Sequence, residues 1–316
     1  MGNRKALCIG IDEYASSPLE GCVNDAKQWA DLFSNDYDVT ELHNENATRS
    51  GIISVLRGMI SRSSSGDVLV VTYSGHGTQI ESSNNDEDDD GLDEAVVPYD
   101  YDSRGDLLVD DDIGELVSEL SSGVNLTFIM DCCHSGTITR EVKGFLRGKG
   151  QQRSVKERFL KIDDPKLLKK ITESIRNRRK QRGTLNRGFR DQMQEVLIAA
   201  CLPSETSKES GGSGLFTQAA TQFLQNADGP VTHEDFVDAI REAVEQEIAD
   251  LRTSSQTPTL YCARQDRGRL LFSRVTNRDE QQPKCSGKPK TQQKSECNDN
   301  PVATLLESLA AVLRSK

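Results

Sequence analysis

No stretch of this 316-residue chain approaches the roughly 20 consecutive apolar residues that a helix needs to cross a bilayer, which excludes an integral membrane protein built on such spans. Nor is a signal peptide expected. The first apolar run, residues 6–11, is short, lacks a small-residue cleavage site and ends in Asp12-Glu13, so it reads as a strand. Cysteine is dilute. Eight in the chain, two of them adjacent at Cys132 and Cys133, do not make a disulfide scaffold, and a reducing cytoplasm is the expected setting. No internal repeat is visible. With the first strand this near residue 1, no N-terminal prodomain is expected.

What is present is unevenly charged. The net charge is −11, yet residues 140–191 hold 18 Lys/Arg against 6 Asp/Glu, which leaves −23 on the remainder. A wholly basic nucleic-acid binder would look different. Residues 86–94 concentrate seven carboxylates in nine positions, and Asp100, Asp102, Asp106, Asp110, Asp111 and Asp112 follow.

Hydrophobic periodicity gives the architecture. Residues 5–11, 68–73, 124–130 and 195–200 are short, near-continuous apolar runs of the kind that form strands covered on both faces. Residues 20–33, 112–120, 215–224 and 232–251 carry apolar residues at helical spacing, and Thr48 and Thr232 are suitable helix caps. Residues 39–43, 259–262 and 269–272 read as lesser strands and 204–214 as a loop. The alternation predicts an α/β fold with a mostly parallel central sheet and helices on both faces. Residues 140–191 break the rhythm. A helix over 165–179 is the only regular element suggested there, inside a long exposed linker. Residues 276–301 are polar enough to be disordered, and 302–313 form an amphipathic helix.

Two turns end the two best strands: Ser74-Gly75-His76-Gly77 and Asp131-Cys132-Cys133-His134-Ser135-Gly136. In a parallel sheet, functional groups gather at the carboxyl ends of strands. A histidine between two glycines has little local packing to serve, and a nearby imidazole can activate a thiol. From the residues alone, that reading and a buried structural thiol beside a turn-capping histidine both stand.

Together these motifs resemble the metacaspases and their bacterial relatives among the caspase-like cysteine peptidases, whose pattern is SGHG followed by D-x-C-H-S-G. The resemblance extends over about residues 4–273. Gly21-Cys22-Val23-Asn24-Asp25-Ala26 is similar to the family's GCxND helix start, Asp93-Glu94-Ala95-Val96-Val97-Pro98-Tyr99-Asp100 to its DExxxPxD segment, and Val109-Asp110-Asp111-Asp112-Ile113 to its paired-Asp turn. Residues 195–219 are similar to its small-subunit region.

The resemblance implies a caspase–hemoglobinase fold and a cysteine endopeptidase cleaving peptides or proteins after Arg or Lys. His76 would be the general base and acid, and Cys133 the nucleophile, with Cys132 a packed neighbour. Backbone N–H groups of Gly77 and Cys133 would form the oxyanion hole. Asp25 and Asp131, with Ser74 nearby, would line an acidic pocket for the basic side chain, since carboxylates suit a guanidinium or ammonium. The basic linker, rich in sites such as Arg176, Arg178, Arg179, Lys180 and Arg182, is then an expected self-cleavage region. Calcium is implied as an activator, with Asp93, Asp110 and Asp111 as ligands. One departure bears on it: a further acidic ligand of some members, seven residues after the nucleophile, is Arg140 here, with Glu141 next to it. The run 86–90 lacks the glycine and glutamate spacing of an EF-hand and reads as a solvated acidic loop.

The expected organisation is a large-subunit region at 1–139, a basic linker at 140–192, a small-subunit region at 193–275, a disordered linker at 276–301 and a C-terminal amphipathic helix at 302–316. A monomer is expected, with neither membrane nor nucleic acid as partner. A non-catalytic regulatory or scaffold protein on the same fold is the alternative. The intact His76, Cys133 and Asp131 argue against it.

Overall fold

The computed structural model describes residues 2–81, 92–133, 154–182 and 195–274. In chain order these form β1 (Arg4–Gly10), α1 (Cys22–Phe33), β2 (Asp38–His43), α2 (Arg49–Ser61), β3 (Val68–Ser74), β4 (Gly77–Glu81), β5 (Leu92–Val96), α3 (Tyr101–Arg104), β6 (Leu108–Val109), α4 (Asp110–Ser118) and β7 (Asn125–Asp131). They continue with β8 (Val155–Glu157), α5 (Pro165–Arg182), β9 (Glu195–Ala199), β10 (Lys208–Ser210), β11 (Ser213–Gly214), α6 (Leu215–Asn226), α7 (His233–Leu251) and β12 (Thr259–Tyr261).

The central sheet has six strands in the order β12-β9-β7-β3-β1-β2. All neighbours run parallel except β12, which is antiparallel to β9. The reason is visible in β3. Every residue of it is buried, and the side chains alternate between two cores: Val68 and Val70 on one face, Leu69, Val71 and Tyr73 on the other. A strand apolar on both faces needs helices on both. Residues of α1, α6 and α7 cover the first face, and those of α2, α4 and α5 the second. Thr48 caps α2 by accepting the Gly51 N–H at 3.1 Å, and Thr232 caps α7 through the Asp235 N–H at 3.1 Å.

Two small antiparallel sheets flank this core, β4-β5-β6 and β11-β10-β8. Both bear on the site, and periodicity hid both. β5 begins in the acidic run, and β10 and β11 fall where a loop was expected. Their turn is Gly211-Gly212, with φ of 66° and 83°, a left-handed pair that glycine adopts without penalty and that closes a two-residue hairpin.

Residues 154–182 are not an exposed tether. Arg158, Leu160, Ile171 and Ile175 are buried. Leu167, Leu168, Ile171 and Ile175 share one side of α5 and pack on the core, a stripe obscured in the sequence by the basic residues around it. Burying each of these isoleucines contributes roughly 1.5–3 kcal/mol. His233, the first residue of α7, is fully buried, its Nδ1 2.9 Å from the Asp266 carbonyl. Residues 269–272 form no strand; Leu270 makes only an isolated bridge to Thr232. The acidic run 86–90, His134, Arg140, residues 276–301 and the helix expected at 302–313 lie outside the described residues.

Candidate active site

The carboxyl ends of β1, β3 and β7 lie side by side, with Ser74 opposite Asp131 in the β3–β7 register. His76 follows β3 and Cys133 follows β7, so the strand order alone brings the two turns to one rim. They touch through the backbone. A Cβ on Gly77 would lie 1.8 Å from the Cys133 carbonyl oxygen, so only glycine fits there.

Beside this rim is an acidic slot. Asp25 comes from the first turn of α1, Asp131 from the last position of β7 and Glu209 from β10. Each carboxylate is aimed by neutral donors. The Ser213 hydroxyl at 2.6 Å and the Gly214 N–H at 3.1 Å bind Asp25. The Ser207 hydroxyl at 2.5 Å and the Thr217 hydroxyl at 2.6 Å bind Asp131. The Glu20 and Gly21 N–H groups bind Glu209 at 2.8 and 3.2 Å. Ser74 is buried beside Asp131, but the guanidinium in the slot is held by the three acids.

That guanidinium is the chain's own. Arg158 is fully buried, with Nη2 2.6 Å from Asp25 and 3.3 Å from Glu209, and Nη1 2.9 Å from Asp131. Three carboxylates around one cation overcompensate it. Burial pushes the Asp25 carboxyl up to about 6; Arg158 opposes the shift and the Asp131 charge adds to it. Burial disfavours the charged form of Arg158 as well, but Asp131 and its neighbours hold the guanidinium's pKa well above its ordinary value.

The backbone of the same residue crosses the rim. The Arg158 carbonyl accepts the Gly77 N–H at 3.0 Å and the Cys133 N–H at 3.4 Å. Its N–H donates to the Ser207 carbonyl at 2.9 Å. Upstream, β8 pairs antiparallel with β10, Glu157 opposite Lys208. Downstream, the Leu160 N–H donates to the Gly77 carbonyl at 2.9 Å. A continuous extended strap therefore lies across both turns. The two N–H groups expected to form an oxyanion hole converge on one carbonyl oxygen.

His76 is buried against Tyr14, ring centroids 4.6 Å apart, with Nε2 2.7 Å from the Ser17 carbonyl. Ser17 has a φ of 55°, a strained conformation that presents this carbonyl to the ring. Burial lowers the His76 pKa to about 4, against the pull of the Ser17 and Arg158 carbonyls. The Cys133 sulfur accepts the Ser207 N–H at 2.6 Å and lies 3.4 Å from the Ser207 carbonyl. Cys132 packs into the core, and burial raises its thiol pKa well above the ordinary value. At neutral pH the imidazole is thus an uncharged base. In a Cys133→Ala protein with the strap in place, the His76 ring should titrate near 4 by NMR. Replacing Arg158 by alanine, which frees the strap, should move it toward 6.5. A ring that titrates at 6.5 in both proteins would contradict this burial.

Of the three acids with an expected metal role, two come together. Asp93 takes Arg179 Nη1 and Nη2 at 3.0 and 2.9 Å, and Asp111 takes Arg179 Nε at 2.8 Å. Asp110 lies at the start of α4, where its Oδ1 accepts the Asp111 N–H at 2.8 Å. Hard oxygen donors of this kind fit calcium, but Asp93 and Asp111 could take it only with Arg179 displaced. Next to them, Arg178 binds Asp106 and lies 3.3 Å from Asp112, which Arg49 also holds at 2.9 Å. Arg178 and Arg179, expected as cleavage sites, are therefore ion-paired within a helix. A peptidase cleft takes extended backbone, and α5 offers none. The residues missed from the sequence are Glu209 and Arg158.

Comparison with known proteins agrees with this geometry. Residues 4–141 match the model of the metacaspase, peptidase C14 domain. Metacaspase III c of Phaeodactylum tricornutum is 36% identical over 149 residues, 43% of this chain and 44% of that protein. Metacaspase-1 of Saccharomyces cerevisiae is 34% identical over 163 residues, 46% and 38%. Metacaspase-4 of Arabidopsis thaliana is 36% identical over 151 residues, 44% and 35%. The aligned part thus spans less than half the length of these relatives. A crystal structure of a Geobacter sulfurreducens protein superposes with a TM-score of 0.66 at 21% identity, covering 87% of this chain and 100% of that one, which shows a shared fold. Residues 4–141, a mostly parallel sheet with its histidine and cysteine turns on one rim, are thus similar to the peptidase domain of the metacaspases.

Proposed function

We propose that this chain is a cysteine endopeptidase that cleaves after Arg or Lys, and that its full-length form holds the Arg158-Phe159 bond as its own first substrate. One observation carries the reading: Arg158 lies in the acidic slot while its carbonyl oxygen accepts the Gly77 and Cys133 N–H groups. In the mechanism, His76 takes the Cys133 thiol proton and the thiolate attacks the carbonyl carbon. The oxygen becomes an oxyanion held by the two N–H groups, a donor pair of which each member is typically worth about 10²–10³ in rate. His76 then protonates the leaving amine, and water releases the acyl group from sulfur. In the strapped form the Cys133 sulfur is engaged by Ser207 and the His76 Nε2 by Ser17, so both must turn before attack. That supports a latent full-length state.

Calcium as activator is part of the same reading, with Asp93 and Asp111 as ligands and Asp110 adjacent; when bound it would supply positive charge where Arg179 now does. So is a monomer acting on protein substrates in a reducing cytoplasm, in keeping with buried thiols at Cys8, Cys22, Cys132, Cys133 and Cys201 that form no disulfide among the described residues.

The test is a gel of purified chain with N-terminal sequencing of the products. The expected result is a fragment that begins at Phe159, formed by the parent and by Cys132→Ala but not by Cys133→Ala. A peptide ending in Arg on a fluorogenic amine should be cut with the same dependence, and one ending in Asp should not. Equal processing by Cys133→Ala would overturn the assignment, and failure to cut any peptide would favour the scaffold reading.

A further inference from the structure

The strap does not stop at Arg158, and its continuation defines a second recognition element. β4 pairs with β5 along one edge, Gly77 opposite Val96, and as the outer strand of its sheet it leaves the other edge for another chain. The strap takes that edge: Phe159 bridges Gly77 in parallel, and the Leu160 N–H donates to the Gly77 carbonyl at 2.9 Å. The Thr78 hydroxyl, itself buried, donates to the Leu160 carbonyl at 2.7 Å. Side chains alternate as in any strand. Leu160 is 2% exposed and belongs to the core cluster that also holds Ile80 and Val97, whereas Lys161 points outward to Asp163. Ahead of the cut, the chain adds to β10 instead. Two sheet edges therefore grip one peptide on either side of Arg158, a mode in which main-chain hydrogen bonds give affinity and alternate pockets give specificity.

We propose that the cleft selects substrates on the far side of the cut as well, through β4 and Thr78. Its preference is a branched aliphatic residue, leucine above all, at the second position after the basic residue. This rests on the endopeptidase reading and adds the class of peptide it favours. The primed half of the strap leaves β4 after self-cleavage, and a substrate takes its place. Thr78 acts there as a specificity-determining residue, because it binds a main-chain carbonyl in a water-excluded position where an unmatched oxygen is costly. A carboxylate in the leucine pocket would be more unfavourable than a truncated side chain.

The experiment uses the self-processed full chain and internally quenched octapeptides. The first copies the strap, Val-Lys-Glu-Arg-Phe-Leu-Lys-Ile. In two others the Leu is replaced by Ala or by Asp. A fourth substrate, Val-Lys-Glu-Arg on a fluorogenic amine, has no residue beyond the cut. Relative to the Leu peptide, kcat/KM should fall about tenfold for Ala and on the order of a hundredfold for Asp, mainly through KM. Thr78→Val should lower the ratio of octapeptide to fluorogenic kcat/KM about tenfold, and Thr78→Ser should restore it. If the fluorogenic peptide is cut but the three octapeptides are cut equally, the proposal falls and the endopeptidase reading stands. If none of the four is cut, both fall.

Discussion

Replacing Asp131 by asparagine should lower kcat/KM for an Arg-ending peptide by about 10²–10³-fold, because breaking a buried ion pair costs 3–5 kcal/mol and each 1.4 kcal/mol is a factor of ten. Asp131 is the acid most tightly built into the slot. Its Oδ2 is 2.9 Å from Arg158 Nη1 and also accepts the Thr217 N–H and hydroxyl at 3.2 and 2.6 Å, while its Oδ1 accepts the Ser207 hydroxyl. An amide in this place keeps one acceptor and turns two donors toward groups that already donate. The cation then faces Asp25 and Glu209 alone, and the strand end that carries Cys133 two residues later loses its clamp. Glu209→Gln should act in the same direction but less, since Glu209 lies farther from the guanidinium, at 3.3 Å. Ser74→Ala should change kcat/KM by less than about threefold, because the guanidinium is held by the acids and not by that hydroxyl. Peptides ending in Arg, Lys and Gln, measured beside thermal unfolding of each variant, separate loss of recognition from loss of fold. An Asp131→Asn protein that folds and still cleaves after Arg at the parent rate would remove the slot from the mechanism.

How far this site could be read in the sequence follows from where its parts come from. His76, Gly77, Asp131 and Cys133 sit in two turns that end strongly apolar strands, so strand order alone brings them together. Asp25 was legible only through the resemblance of residues 21–26 to the metacaspase helix start; its place in the first turn of a helix would by itself suggest no more than a cap. Glu209 was not. It stands in a three-residue strand whose pairing depends on a Gly-Gly hairpin, and that Gly-Gly pair was the one local signal available. Arg158 was beyond reach for a different reason. Among 18 basic residues in the segment, nothing local marks the one that enters the slot; the selection is made by the register of β8 on β10, a tertiary fact. The same blindness left Arg178 and Arg179 among the residues expected to lie in an exposed linker. The composition showed their charge, but not that an apolar stripe would fold them into a helix against Asp93, Asp106, Asp111 and Asp112.

That helix is the basis of the second large effect. Changing Arg178 and Arg179 together to alanine should speed self-cleavage and raise hydrogen exchange in α5 by about 10–100-fold, because charge-assisted hydrogen bonds contribute about 1.5–3 kcal/mol before screening reduces those that are part-exposed. Arg179 alone makes three such bonds, to Asp93 and Asp111, and Arg178 ties Asp106 to Asp112. α5 is joined to the strap through residues 161–164, so a loosened helix frees the strap to reach an attack-ready geometry. High salt should imitate the change in the parent protein and do little in the double variant, since the charges it would screen are gone. Calcium should act with the same sign by competing for the same oxygens. Calorimetry should then find tighter calcium binding in Arg179→Ala than in the parent, in a Cys133→Ala background where no cleavage intervenes. If the double variant exchanges and self-cleaves at the parent rate, α5 is held by its buried isoleucines alone, and its arginines are not what keeps the strap in the cleft.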